Sequence, residues 1–349
     1  MTTAAPPRRL VVDLAASARN WSLPSWGADA IRAAAPDGWD IYVVRDATTS
    51  DGDGGGGVSA EVLEAARQAE VYFGYGLSPR LFTAAPRLRW VHSAAAGVAS
   101  LLFPEMRQSE VLLTNSGGVM GDTIAEHVVG GVIYLLRAFD VAVRLQDEGR
   151  WDKDPFVSSP GAVRELDECR ALIVGTGGIG GGVGWRLNAL GARCVGVRRR
   201  PERGTPRGFE RVVGLDGLDA ELPHADILVL TTPLTSETGM LLTGARMDCL
   251  PPGAIVVNVA RGALLDETAL IERLRRGSLR GAVLDVFREE PLPPDSPLWG
   301  FRQVLITPHV AAVSPRRFWE RELELFLDNW VRYRRGDPLR NLVDKDAGY

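Results

Sequence analysis

The sequence predicts an α/β protein built on two parallel sheets, and three observations carry that reading. Short apolar runs alternate with helical patterns, which is the mark of strand–helix–strand units with helices covering the sheet. The alternation is interrupted by one long helical pattern beginning near Gly121, and a second alternating series starts at Ala171. The chain has 349 residues, roughly two domains of ~150.

In the first third, Leu10–Leu14, Ile41–Val44, Val71–Phe73, Leu88–Val91 and Val111–Leu113 are predicted strands, each a short apolar run. Between them Ala28–Ala35, Ala60–Ala69 and Pro79–Phe82 carry helical spacing. Asp51–Gly57 is mostly glycine and reads as a flexible surface loop, because ordering glycine backbone costs the most entropy. From Gly121 to about Gly149, Ala125, Val128, Val129, Val132, Ile133 and Leu136 recur at i, i+3 and i+4, predicting one long helix with a wide apolar face. The polar stretch with Pro155, Ser158, Ser159 and Pro160 reads as a loop between domains. In the second series, strands are predicted at Ala171–Val174, Cys194–Val197, Ile227–Leu230, Ala254–Val257, Ala282–Asp285 and Val304–Ile306. Helices are predicted at Ile179–Leu190, Glu267–Arg276 and Pro315–Arg334, the last amphipathic through Phe318, Leu325, Trp330 and Val331.

Composition removes several function classes. A formal charge of −4 provides no global field for nucleic acid or an anionic membrane, so any anion site must be local. Lys153 and Lys345 are the only lysines, neither in an apolar stretch, which argues against Schiff-base chemistry. No G-x-x-x-x-G-K-[ST] loop is present. Cys169, Cys194 and Cys249 are far apart and odd in number, against a disulfide framework or a structural zinc, so no metal is expected and a reducing cytoplasm fits best. Met1–Pro7 has no apolar run of the secretory kind, and the longest apolar runs fall short of the ~18 residues of a membrane span.

The predicted strand Ala171–Val174 runs into Gly175-Thr176-Gly177-Gly178-Ile179-Gly180 and then a helix. In that context the glycines have separate uses: Gly175 for the tight turn, Gly177 for backbone approach to a pyrophosphate, Gly180 for packing helix on strand. The helix start offers free N–H groups and a positive dipole end, so a dinucleotide is expected there. At the end of the next strand, where an acidic residue would accept from a ribose 2′-hydroxyl, stand Arg198, Arg199 and Arg200. Guanidinium groups bind a 2′-phosphate, so NADP is expected to be preferred, with NAD possible.

Three later strands end on polar residues: Asn258-Val259-Ala260-Arg261-Gly262, Asp285-Val286-Phe287-Arg288-Glu289-Glu290-Pro291 and Thr307-Pro308-His309. Ligands of open parallel sheets bind beyond the carboxyl ends of strands. Arg261 could grip an α-oxo acid in a bidentate manner and polarise its carbonyl. His309 could give or take the hydroxyl proton, and Glu290 would hydrogen-bond it, orient it and favour its protonated form.

With these residues the chain resembles the D-isomer-specific 2-hydroxyacid dehydrogenase family. The resemblance rests on the GTGGIG loop, TTPLTSET from Thr231 to Thr238, NVARGALLDETAL from Asn258 to Leu270, LDVFREEPLP from Leu284 to Pro293, TPHVAAVS from Thr307 to Ser314, and Gly336-Asp337-Pro338-Leu339. It covers about residues 88 to 344, and TPHVAAVS looks most like the glyoxylate/hydroxypyruvate reductase branch. It implies two Rossmann-like domains: a discontinuous substrate domain, 1–116 with 311–349, and a dinucleotide-binding domain, 117–310, with the active cleft between them. It also implies Arg261 as the substrate-binding residue, His309 as the acid/base and Glu290 as its partner. Thr232, Pro233 and Thr238 match positions near the cofactor, and Val259, Ala260, Arg261, Asp285 and His309 match its nicotinamide end. Ser93–Val98 resembles the loop whose backbone N–H groups hold the substrate carboxylate, which assigns Ala96 and Gly97. The expected reaction is reduction of a small 2-oxo acid to the D-2-hydroxy acid. A homodimer is implied through the long helix, with Trp151 at the interface. His92 lies beside the substrate loop, while His127 reads as structural and His224 as a surface residue. Two alternatives stay open: a relative acting on formate or phosphite, which Glu290 disfavours for formate, and a cofactor-sensing corepressor.

Overall fold

The computed structural model describes residues 8–17, 19–47, 58–158, 163–235 and 237–348. The amino-terminal residues 1–7, read as free of a secretory signal, and the glycine-rich loop 51–57 lie outside the described residues, as do Ser159, Pro160 and Ser236. The chain divides into two compact units, Met1–Val119 with Ser314–Tyr349, and Met120–Val313.

The first unit holds a five-stranded sheet of β1 (Arg8–Asp13), β2 (Trp39–Val43), β3 (Ala69–Gly74), β4 (Trp90–Ser93) and β5 (Leu112–Asn115). All pairings are parallel, in the order β2-β1-β3-β4-β5. The connecting helices are α1 (Ser25–Ala33), α2 (Ala60–Ala66), α3 (Pro79–Ala84) and α4 (Pro104–Gln108). Ser59 and Ser78 cap α2 and α3 by accepting from Val62 N and Leu81 N, which fixes where these short helices begin. The carboxyl-terminal helix Pro315–Arg335 belongs to this unit, and its Phe326 stacks on Phe73 at 4.1 Å and on Trp90 at 5.5 Å between ring centroids.

The second unit holds a seven-stranded parallel sheet: β6 (Arg170–Val174), β7 (Arg193–Val197), β8 (Arg211–Val213), β9 (Ile227–Leu230), β10 (Ala254–Asn258), β11 (Leu279–Leu284) and β12 (Val304–Ile306). The order is β12-β11-β10-β9-β6-β7-β8, so the winding reverses between β6 and β9, the kind of switch point at which dinucleotides bind. The helices are α5 (Gly121–Leu136), α6 (Phe139–Asp147), α7 (Asp154–Val157), α8 (Gly178–Ala189), α9 (Leu218–Glu221), α10 (Gly244–Asp248) and α11 (Glu267–Arg276); Pro315–Arg335 is then α12. Separate apolar clusters cover the two faces of this sheet. α11 shows how local sequence sets an element: the Asp266 side chain accepts from Ala269 N at its start, and Gly277 at φ +71° ends it.

Two expectations are corrected here. The long helix from Gly121 to about Gly149 is two helices, because Ala138 takes the left-handed conformation at φ +54° between α5 and α6. The turn lets the buried Asp140 reach Arg280 of β11 with bonds of 2.5 and 3.0 Å, which offsets the backbone cost. The stretch with Pro155 and Ser158 does not lie between the units. It contains α7 and sits inside the second unit, while the chain leaves the first at Val119. Proline and serine mark a surface turn there, and composition alone does not say which side of a boundary it is on. Among the described residues, no helix is long and apolar enough to cross a membrane and no cluster of three or more His, Cys, Asp or Glu could hold a metal ion.

The glycines at the start of α8 have a packing role that the sequence does not announce. A methyl on Gly184 would lie 2.3 Å from the Phe209 ring, and one on Gly182 3.1 Å from Ala125 Cβ of α5. A methyl on Gly121 of α5 would lie 2.9 Å from the Gly178 carbonyl oxygen. The two helices therefore approach backbone to backbone. Gly181 has no such neighbour among the described residues, and nothing in the structure explains it.

Candidate active site

β6 ends at Val174, and the chain turns at Gly175 with φ +98° into α8. A side chain is barred there twice, by that backbone angle and by Thr231 and Thr232 backbone atoms 2.9 Å from the place of a Cβ. At Gly180 a methyl would overlap the Gly175 carbonyl at 1.8 Å, so this glycine brings the helix onto the strand turn. Gly177 differs: a methyl there would meet nothing within 4 Å, which leaves the space over the loop open. Gly178, Ile179 and Gly180 form the first turn of α8, whose N–H groups face no earlier helical carbonyl. Thr176 Oγ1 and Arg198 Nε are buried without a hydrogen-bond partner among the described residues. An open glycine cradle at a helix start, flanked by two unsatisfied polar atoms, fits the phosphates and ribose of a dinucleotide.

Arg198 follows β7, and its guanidinium donates to the carbonyls of Gly204 and Pro201. Arg199 lies 4.0 Å from Glu237 Oε2, and Arg200 is exposed. The segment after β9 forms a turn of its own. Thr238 is buried, its hydroxyl donating to Pro233 O at 2.7 Å and accepting from Thr235 N at 2.8 Å, so it shapes the turn that presents Thr232 and Pro233.

β10, β11 and β12 are adjacent and parallel, so the residues after them share one edge of the sheet. After β10, Asn258 closes a tight turn by accepting from Ala260 N and donating to Arg261 O, and Val259 and Ala260 are buried beneath it. Arg261 Nη1 donates to the Ala260 carbonyl at 2.6 Å. Gly262 is required because a Cβ would stand 1.9 Å from the Phe287 carbonyl carbon in the next strand's loop. After β11, Asp285 is 2% exposed, and its carboxylate accepts from the Thr307 hydroxyl and from the N–H groups of Val310 and Ala311. Glu290 accepts from Phe287 N through Oε1 at 2.8 Å, and its Oε2 meets His309 Nδ1 at 2.8 Å. His309 and Glu290 are 36% and 35% exposed, so the pair is open enough for a substrate to reach. With Nδ1 given to the carboxylate, Nε2 is the ring nitrogen left for a reacting oxygen. Cysteine chemistry is not available in this sheet: burial pushes the Cys194 thiol up to about 12 and the Cys169 thiol up to about 11.

In the first unit, the loop after β4 runs through buried Ala94 and Ala95 to exposed Ala96 and half-buried Gly97. The Ala95 and Ala96 carbonyls accept from Ser116 N and Asn115 Nδ2. Among the described residues, the Ala96 and Gly97 N–H groups meet no protein acceptor. His92, beside this loop in sequence, is fully buried between Thr114 at 2.7 Å and Glu322 at 3.1 Å. His127 lies against Thr307, and His224 is exposed. The contact between His127 and Thr307 spans 180 positions, and no local pattern points to it.

Comparisons with known proteins identify the family. The family profile described as D-isomer specific 2-hydroxyacid dehydrogenase, NAD binding domain, matches residues 129–311. The glyoxylate reductase of Thermofilum pendens is 31% identical over 276 residues, covering 78% of this chain and 79% of that protein. The glyoxylate/hydroxypyruvate reductase A of Salmonella newport is 33% identical over 273 residues, covering 75% and 82%. Among solved structures, a D-isomer specific 2-hydroxyacid dehydrogenase of Xanthobacter autotrophicus, in complex with NADPH and MES, superposes with a TM-score of 0.79 at 30% identity, covering 99% of this chain and all (100%) of that one. An NADPH-dependent glyoxylate/hydroxypyruvate reductase of Sinorhizobium meliloti, in complex with NADP and sulfate, gives 0.78 at 27% identity, covering 98% and 100%. A Gly-rich turn at the sheet's switch point, a His–Glu pair at its strand ends and these matches have one reading: the chain is an oxidoreductase of the D-isomer-specific 2-hydroxyacid dehydrogenase family and carries that family's NAD-binding domain.

Proposed function

We propose that the chain uses NADPH to reduce a small 2-oxo acid, of the glyoxylate or hydroxypyruvate kind, to the D-2-hydroxy acid. The observation that carries this is the 2.8 Å contact of His309 Nδ1 with Glu290 Oε2 at the strand edge that also bears Arg261. The bound reduced nicotinamide supplies the hydride. His309 delivers the proton to the substrate oxygen from Nε2, and Glu290 keeps the ring oriented through Nδ1. Arg261 grips the carboxylate and draws charge from the carbonyl. In the first unit, the N–H groups of Ala96 and Gly97 are left to hold a carboxylate, with no side chain larger than a methyl in the path. Gly175, Gly177, Gly178, Ile179 and Gly180 receive the pyrophosphate, Arg198, Arg199 and Arg200 the 2′-phosphate, and Thr232, Pro233, Thr238, Val259, Ala260 and Asp285 line the remainder of the cofactor site.

Residues 1–116 with 311–349 form the substrate domain in this reading, and 117–310 the dinucleotide domain. The protein acts as a homodimer in the cytoplasm. Trp151 is the candidate contact for that dimer, being 95% exposed, and α6 also leaves Phe139 and Val143 half-exposed. The test is a spectrophotometric screen of 2-oxo acids with NADPH and with NADH. Turnover of glyoxylate or hydroxypyruvate with NADPH is expected, and loss of NADPH absorbance with none of the 2-oxo acids would overturn the reading.

A further inference from the structure

The turn that carries His309 is held by hydrogen bonds that lead away from it to another helix. His309 has φ +54°, a conformation that a residue with a side chain keeps only where its surroundings hold it. Its own N–H donates to Asp285 O at 2.9 Å and to Thr307 O at 3.0 Å. The next two N–H groups, of Val310 and Ala311, donate to the two oxygens of the Asp285 carboxylate at 2.9 Å each. That buried carboxylate is the clamp on the turn, and its third donor is the Thr307 hydroxyl at 2.6 Å. Thr307 has one hydroxyl proton, and it is committed to Asp285. Toward His127 Nε2, 3.2 Å away, the Thr307 oxygen can then only accept, so Nε2 must carry hydrogen. His127 stands in the middle of α5.

We propose that His127 and Thr307 are positioning residues for His309, acting as a relay from α5 through Thr307 to the Asp285 carboxylate and the N–H groups of Val310 and Ala311. His127 polarises and orients the Thr307 hydroxyl, the hydroxyl fixes the carboxylate, and the carboxylate holds the turn that aims the imidazole at Glu290. The inference rests on the reading of His309 as the acid/base. Neither residue touches the substrate, so the relay affects how well the proton donor is aimed and not how tightly the substrate is held.

The test uses the full chain and four variants: Thr307→Val, Thr307→Ser, His127→Ala and His127→Gln. Gln can place a donor nitrogen where His Nε2 stands, and Ser keeps the hydroxyl. Thr307→Val is expected to lower kcat about 10- to 100-fold, the equivalent of one charge-assisted buried hydrogen bond, with KM within about threefold. His127→Ala is expected to lower kcat about 3- to 10-fold, since one neutral bond is lost. Ser and Gln should restore most of each loss. Without cofactor or substrate, amide exchange at Val310 and Ala311 should accelerate in the Val and Ala variants and return to the parent rate in the Ser and Gln variants.

Unchanged kcat and unchanged exchange in Thr307→Val and His127→Ala would overturn the proposal. So would losses that Ser and Gln fail to restore, which would mean packing alone. His127 is half-buried, so His127→Ala decides the matter if Thr307→Val does not fold. His309→Asn run in parallel separates the two claims. If it keeps full kcat, the acid/base reading fails, while the amide exchange still decides whether the relay holds the turn.

Discussion

Two glycines three positions apart in the nucleotide loop should respond to the same methyl group in opposite ways. At Gly177 the backbone angles are φ −75° and ψ −155°, open to any residue, and an added methyl meets nothing within 4 Å. Gly177→Ala should therefore fold normally, and even gain about 0.4–1 kcal/mol from the lost freedom of the unfolded chain. Its methyl would occupy the space through which the backbone approaches a pyrophosphate. Losing one charge-assisted bond there costs about 1.5–3 kcal/mol, or about 10- to 150-fold in Kd for NADPH. At Gly180 the methyl would stand 1.8 Å from the Gly175 carbonyl oxygen and 2.7 Å from Thr231 Oγ1. Real contacts of this kind stay beyond 3.0 Å, so α8 would have to move by roughly 1.2 Å against rigid backbone. Better helix propensity returns at most about 1 kcal/mol, against an overpacking cost of about 1–3 kcal/mol or more. Gly180→Ala should thus lose stability as well as affinity. Urea unfolding and NADPH fluorescence titration of both variants check this. Parent-like NADPH affinity in Gly177→Ala, or parent-like stability in Gly180→Ala, would refute the division of labour.

Other consequences can be measured in the same way. Glu290→Gln replaces the carboxylate that His309 Nδ1 meets at 2.8 Å with a neutral amide, so the ring loses its charged orienting partner and kcat of reduction should fall about 10- to 100-fold; an unchanged kcat would take Glu290 out of that role. The arginines after β7 should give NADPH an advantage of about 2–3 kcal/mol, about 30- to 150-fold in kcat/KM over NADH, and Arg198→Asp should reverse it; equal use of both cofactors by the parent would make the arginines a solvated loop. Thr114→Val deprives buried Trp90 Nε1 and His92 Nδ1 of their shared partner, so the urea midpoint should fall by the equivalent of about 2–4 kcal/mol. Trp151→Ala should shift a homodimer toward monomer in sedimentation; an unchanged mass would remove Trp151 from the interface.

Much of the second unit was legible because its elements are local. Each strand except β8 contains a short apolar run, and each candidate site residue follows one within a few positions, so reading the chain in order also reads the edge of the sheet. The three-residue β8 was not legible, since this Arg-Val-Val strand lies at the sheet edge, is nowhere fully buried and so carries no apolar run. The break between α5 and α6 was hidden for another reason. Apolar spacing reports which residues are buried, and both helices bury the same kind of face, whereas the change of direction lives in one backbone angle at Ala138. The same limit applied to Gly182 and Gly184, whose reasons are Ala125 and Phe209, brought close by the fold. His92 shows the same limit from the other side: beside a candidate loop in sequence, it is buried in the core, where Glu322 and Thr114 hold it.

The close approach of α5 to α8 has a bearing on any attempt to re-engineer the cofactor. Where Gly121 meets the Gly178 carbonyl, main chain touches main chain, and no rotamer is available to absorb a change. The spacing between the helices is a fixed dimension, and the N–H groups at the start of α8 inherit it. A library that diversifies Arg198, Arg199 and Arg200 samples positions whose side chains lie at or near the surface, and most members should fold. A library that reaches Gly121 or Gly182 alters the seat of the nucleotide helix, so its failures would register as weak cofactor binding although the mutated residues carry no side chain to offer it.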